Sequence, residues 1–132
     1  MKGLVVEDDL ASRTVLMGFL RQYNLGAEFA EDGLLGLEAF KTAFEEKQPF
    51  DFICLDIMMP NMNGQETLIK IREYEKEHNV KSSHEVKVFM VSALRTPKDV
   101  IQAFHKGGCT DYVTKPVDLK KFRDTLIQYH LL

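Results

Sequence analysis

Gly3-Leu4-Val5-Val6-Glu7-Asp8-Asp9-Leu10 is the stretch whose reading decides the fold. Its first half is a short apolar run without alternation, which reads as a strand buried on both faces, as in a parallel sheet. Its second half is acidic. A dinucleotide-binding sheet would carry G-x-G-x-x-G after this strand, so that backbone amides can approach a pyrophosphate. Three carboxylates stand there instead, and the Rossmann-like arrangement fails at that point.

Four more runs resemble the first: Ala27–Ala30, Phe52–Leu55, Lys87–Val91 and Asp111–Thr114. Like the first, they lack clean alternation and are expected to be buried on both faces. Segments of helical periodicity separate and follow them. The first carries Val15, Leu16, Phe19, Leu20 and Tyr23; the second carries Gly36, Ala39, Phe40, Ala43 and Phe44, spaced i, i+3, i+4, i+7, i+8. The third runs from about Gly64 to Glu77 with Leu68 and Ile71 inward. The fourth has Val100, Ala103 and Phe104, and the fifth Leu119, Phe122, Leu126 and Tyr129.

Punctuation agrees with this division. Thr96-Pro97 reads as an N-cap followed by proline at the first helical position. Asp118 is placed to cap the last helix, Asp32-Gly33 marks the turn into the second, and Gly107-Gly108 ends the fourth. The polar stretch His78–Glu85 reads as a surface loop. Strand alternating with helix five times defines an α/β, doubly wound five-stranded parallel sheet with helices on both faces. With the Rossmann order excluded, the flavodoxin-like (βα)5 order 2-1-3-4-5 remains.

The 132 residues amount to one domain, expected over 1–132 with no output domain, and are enough to bury a core unaided. Hydrophobic residues at 45% and charged residues at 28% indicate a soluble globular chain. A net charge of −3 argues against nucleic-acid binding. No apolar run suits membrane insertion or a signal peptide, so a cytoplasmic location is expected. Cys54 and Cys109 lie in or beside apolar segments and read as small structural hydrophobes.

In open α/β sheets ligands bind beyond the carboxyl ends of strands. Those ends carry Glu7, Asp8 and Asp9 after the first strand, Asp56 after the third, Ser92 and Ala93 after the fourth, and Lys115 and Pro116 after the fifth. Nothing comparable follows the second. In the order 2-1-3-4-5 the first-strand acids face Asp56 across one strand spacing, about 4.8 Å. Carboxylates that close raise one another's pKa unless a counter-charge intervenes. Mg²⁺, a hard cation that takes carboxylates and keeps waters, supplies one. Lys115 supplies another from the far side. A carboxylate between two cations suits attack on a phosphoryl group, with the Ser92 hydroxyl donating to an equatorial oxygen. Asp9 reads more readily as a helix cap than as a ligand.

The motifs Leu4-Val5-Val6-Glu7-Asp8-Asp9, Asp56-Ile57-Met58-Met59-Pro60 with Gly64, Val91-Ser92-Ala93 and Tyr112-Val113-Thr114-Lys115-Pro116 resemble, in order and spacing, the bacterial response-regulator receiver family, especially its single-domain chemotaxis-type members. The resemblance covers essentially the whole chain. It implies that Asp56 is the phosphoacceptor, that Asp8 is the principal metal-binding acid, and that Glu7 is its partner, often acting through water. It also implies that the Met58 backbone carbonyl is a metal ligand, Ser92 the switch hydroxyl, Tyr112 the switch aromatic and Lys115 the phosphate-binding lysine, with a cis bond before Pro116. Further implications are Mg²⁺ as cofactor, a histidine kinase or histidine phosphotransfer protein as donor, and a downstream protein target. By the same resemblance the chain is expected to be a stand-alone response regulator of a phosphorelay, no enzyme beyond its own phosphorylation and dephosphorylation, switching partner binding through its helix 4–strand 5–helix 5 face. Tyr112 is expected to pass from exposed to buried positions on phosphorylation. Met58 and Leu94, both apolar, are expected to border the approach of hydrolytic water.

Two other classes compete. A haloacid-dehalogenase-type phosphotransferase would carry a second Asp where Met58 stands, and an unphosphorylated scaffold would be expected to lack Asp56, Asp8 or Lys115.

Overall fold

The computed structural model describes residues 1–94 and 96–132. The elements are β1 (Lys2–Val6), α1 (Leu10–Gln22), β2 (Gly26–Ala30), α2 (Gly33–Glu45), β3 (Phe52–Leu55), α3 (Gly64–Glu77), β4 (Lys87–Ser92), α4 (Pro97–Ile101), β5 (Asp111–Thr114) and α5 (Leu119–Gln128). Every strand pair is parallel, in the order β2-β1-β3-β4-β5.

Side-chain alternation along the central strands builds two cores. Leu4 and Val6 of β1, Ile53 and Leu55 of β3, and Val88 and Met90 of β4 point to one face, where Leu37 and Phe40 of α2 and Leu68 and Ile71 of α3 cover them. Val5, Phe52, Cys54, Phe89 and Val91 point to the other, against Leu16, Phe19 and Leu20 of α1 and Phe122 and Leu126 of α5. Each large side chain buried this way contributes roughly 1.5–3 kcal/mol before the entropy of ordering it.

The expectation that all five strands are buried on both faces holds for β1, β3 and β4 only. β2 and β5 form the sheet edges and stay partly exposed. Three periodic residues also face outward: Val15 is 54%, Phe104 39% and Leu119 37% exposed. α4 is short because after one turn the chain widens into a π-helical stretch, Gln102–Gly107, which ends at Gly108 with φ +73°. The widening rotates the helical stripe, burying Ala103 while releasing Phe104.

Asp9, Thr96 and Asp118 cap the helices as read from the sequence, Asp32 caps α2 as well as turning the chain into it, and Asn63 caps α3 without having been singled out. Asp9, Asp32, Thr96 and Asp118 each accept a hydrogen bond from a backbone N–H in the first turn they precede. The stretch after α3 is a surface loop with a short 3₁₀ turn at Ser82–His84, although His78 at its start stacks on Tyr74. Among the described residues no helix is long and apolar enough to cross a membrane.

Candidate functional site

The site lies at the carboxyl edge of the sheet, where β1 and β3 run side by side. Asp56 extends the β1–β3 ladder by one rung, its N–H donating to the Val6 carbonyl at 3.1 Å. That bond fixes its backbone, and the residue is 7% exposed. Asp56 Oδ1 accepts from the Ile57 N–H at 2.7 Å, and Oδ2 from Lys115 Nζ at 3.2 Å. Gly64 lies hard against this backbone; a Cβ there would sit 2.0 Å from the Asp56 carbonyl oxygen, so only glycine permits α3 to start so close.

Glu7 is buried, its N–H donating to the Ala30 carbonyl and its Oε1 accepting from Lys115 Nζ. Arg13 of α1 donates to the Glu7 carbonyl at 3.0 Å while its guanidinium lies over the Phe29 ring. Asp8, by contrast, is exposed. Burial, reinforced by hydrogen bonding to Asp56, raises the Glu7 pKa to about 7, with Lys115 pulling the other way. Burial opposes the charge on Lys115, but its bond to Glu7 and the Asp56 carboxylate outweigh that and raise its pKa. One cation thus holds two buried acids, and Glu7 is poised to carry a proton near neutrality.

Glu7, Asp8 and Asp56 each direct one carboxylate oxygen to within 4.8 Å of the others. An all-oxygen, anionic set with one exposed member fits a hard divalent cation that keeps part of its water shell. The set is open to solvent through a cleft of about 390 Å³ lined by Asp8, Ile57, Met58, Met59, Pro60 and Asn63. Met58, whose carbonyl was the expected further ligand, is in this loop with its side chain 63% exposed.

Ser92 ends β4, two residues beyond the partner of Leu55, and is 1% exposed. Its Oγ accepts from the Leu94 N–H at 3.2 Å, and its carbonyl accepts from the Lys115 N–H at 2.8 Å. The Lys115–Pro116 peptide is cis. Tyr112 on β5 is half-buried against the core beside Leu94 and donates its hydroxyl to the Leu94 carbonyl. The ring is therefore docked inward in this structure. Leu94 packs partly buried against the core edge, and Met58 is the more exposed apolar side chain of the pair.

Sequence reading overlooked Asp32 and Arg13. Asp32 follows β2, the one strand end that seemed empty, yet it is buried and bonded to the β3–α3 loop. An N-cap aspartate carries no mark of such a second bond.

The response regulator receiver domain family matches residues 4–127, and the chain belongs to that family. Its curated relatives include an uncharacterised transcriptional regulatory protein, YclJ, of Bacillus subtilis, 35% identical over 116 residues, covering 88% of this chain and 44% of the relative. Another is histidine kinase 2 of Arabidopsis thaliana, 36% identical over 128 residues, covering 87% of this chain and 10% of that one. The chain therefore spans less than half the length of these relatives. Among solved structures, the receiver domain of Saccharomyces cerevisiae Ssk1, crystallised with the histidine phosphotransfer protein Ypd1, is 25% identical with a TM-score of 0.83, covering 98% of this chain and 88% of that one. A Borrelia burgdorferi CheY, solved in a CheX–CheY–BeF3–Mg complex, has a TM-score of 0.85 at 23% identity over 100% of this chain and 90% of its own, a likeness of fold.

Proposed function

We propose that residues 1–132 form one phosphoacceptor domain that takes a phosphoryl group from a phosphohistidine onto the carboxylate of Asp56. The observation that carries this reading is the seating of Asp56 between a lysine and an open cluster of acids. In the transfer, an Asp56 oxygen forms a bond to phosphorus as the phosphorus–nitrogen bond of the donor breaks, and the electron pair returns to the imidazole. Lys115 balances charge on one side of the phosphoryl group and Ser92 donates its hydroxyl to an equatorial oxygen. Mg²⁺, when bound, supplies charge neutralisation on the other side. Glu7, Asp8 and Asp56, with the Met58 carbonyl, are the residues to hold it. The chain's own chemistry is confined to its phosphorylation and dephosphorylation.

The donor is a histidine kinase or histidine phosphotransfer protein. Support comes from an apolar cleft of about 620 Å³ lined by Ala11, Ser12, Val15, Leu16, Ala93 and Val117 among others, which reaches the site through Lys115 and offers a docking surface beside it. The exposed Val15 lies at this cleft. Two buried unpaired thiols suit a reducing, cytoplasmic compartment. When Ser92 turns from the Leu94 amide to a phosphoryl oxygen, the β4–α4 loop loses a tether, and the face made by α4, β5 and α5, with Ile101 exposed on it, presents a changed surface to a downstream protein.

Incubation with acetyl phosphate, or with a phosphorylated phosphotransfer protein, tests the reading by intact mass. One phosphoryl group is expected with Mg²⁺ present and none with a chelator. Equal labelling in both conditions contradicts it.

A further inference from the structure

We propose that Asp32 and Asn61 act as a positioning pair for the metal-binding loop, an inference that rests on the Mg²⁺ reading above. The loop that carries Met58 leaves the site at Asp56 and returns at Gly64, whose N–H donates to the Ile57 carbonyl at 2.8 Å. That closes the base of the loop but leaves its tip to be held by something else. Asn61, near the tip, donates from Nδ2 to Asp32 Oδ2 at 2.7 Å, linking residues 29 positions apart. Asp32 Oδ1 meanwhile accepts from the Leu35 N–H at 2.8 Å, so the anchoring carboxylate is itself fixed by the first turn of α2.

Three observations make this a built contact. Asp32 is only 8% exposed, so its bond to Asn61 is little weakened by competing water. Asn61 adopts φ +66°, a left-handed conformation open to asparagine, which aims its side chain back across the loop. At Gly33 a Cβ would lie 2.2 Å from the Met62 carbonyl oxygen and 2.1 Å from Thr67 Oγ1, so the β2–α2 turn and the loop are pressed together at this one place. Between the Ile57 and Asn61 anchors lie Met58, Met59 and Pro60, the wall of the cleft beside Asp8. Holding the loop tip therefore sets where the Met58 carbonyl points. Asp32 touches neither ion nor substrate in this scheme and acts only through Asn61.

The test separates positioning from simple stability. Asn61→Gly keeps the backbone conformation accessible and deletes the donor. The exchange Asp32→Asn with Asn61→Asp restores a charge-assisted bond with the roles reversed, and asparagine still caps α2. Mg²⁺ affinity is read by calorimetry, and in metal-free protein amide exchange is followed at Met62 and Gly64. Asn61→Gly is expected to bind Mg²⁺ about tenfold more weakly, the lower end of outer-shell effects on metal sites, with faster exchange at both amides. The exchanged pair is expected to return both toward wild type. Unchanged Mg²⁺ affinity in a folded Asn61→Gly protein overturns the proposal, as does failure of the exchanged pair to recover. Asp8→Ala run alongside distinguishes the two levels: if wild type binds Mg²⁺ and Asp8→Ala does not, an unaffected Asn61→Gly defeats the positioning role alone. A wild type that binds no Mg²⁺ defeats both.

Discussion

Lys115 Nζ lies 3.2 Å from Asp56 Oδ2 and, from the same atom, donates to Glu7 Oε1. A single ammonium from near the end of the chain therefore bridges two buried acids, one after β1 and one after β3, and the fold and the chemistry depend on it together. Lys115, just past β5, reaches the acids after β3 and β1 although β4 lies between β5 and β3, and β4 and β3 between β5 and β1.

Lys115→Met leaves Glu7 and Asp56 buried without that counter-charge. Metal-free protein is expected to lose about 1–3 kcal/mol in denaturant unfolding, less than a fully buried pair would because the lysine is 20% exposed. Phosphorylation by acetyl phosphate should slow by roughly 10²-fold, the scale of losing one charge-stabilising donor. An unchanged rate would remove Lys115 from the reacting site.

Asp8→Ala has the opposite effect on stability. Asp8 is exposed beside two other acids, so its removal relieves repulsion while taking away a ligand. Metal-free protein should be at least as stable as wild type, and Mg²⁺ affinity should fall by about tenfold or more, on the order of 1.4 kcal/mol. Calorimetric titration and thermal melts of the same samples check both halves.

The raised Glu7 pKa gives a pH signature. Between its ordinary value of 4.5 and about 7 the folded protein holds a proton that the unfolded chain has released. The stability from this group is therefore present at low pH and lost as pH rises through about 7. Metal-free protein should melt at a higher temperature near about pH 6 than near about pH 8. Mg²⁺ favours the ionised carboxylate, so its affinity should rise across the same interval with release of a proton. Melting curves with and without Mg²⁺, and calorimetry in two buffers of different ionisation enthalpy, measure these directly.

Met58 is apolar and exposed at the mouth of the cleft, so it offers no group to orient a water in line with the aspartyl phosphate. A long-lived phosphorylated state is expected. Met58→Asn should shorten that lifetime several-fold once donor is removed, since orientation is a large part of such a barrier. Leu94 is a poorer place for this test because it packs beside Tyr112. An unchanged lifetime would mean that Met58 does not govern water access.

Much of this architecture is legible in the chain because each central strand announces itself as an unbroken apolar run, and the starts of α1, α4 and α5 by an aspartate or threonine cap, whereas the Asn63 cap of α3 carries no such signal. The failure of G-x-G-x-x-G at Glu7-Asp8-Asp9 excluded the Rossmann order and the resemblance to receiver domains implied the order 2-1-3-4-5, which brings Glu7, Asp8, Asp56 and Lys115 together. Three features escaped because they depend on tertiary placement. Burial of β2 and β5 depends on their being edges, which composition does not record. The π-helical turn after Ile101 shifts Phe104 outward although its spacing fits the helical stripe. Asp32 shows in sequence as a turn residue, and its bond to Asn61 exists only once α2 and the β3–α3 loop are in contact.

Locating the phosphoryl group tests the central claim most directly. The phosphorylated protein is reduced with borohydride, which converts an aspartyl phosphate to homoserine, and peptides are sequenced by mass spectrometry. Homoserine at position 56, absent from unphosphorylated protein and from Asp56→Asn, is the expected result. Homoserine at Asp8 or any other aspartate of wild-type protein, or the one-carbon-longer alcohol at a glutamate such as Glu7, with Asp56 intact, would contradict the assignment of Asp56 as acceptor.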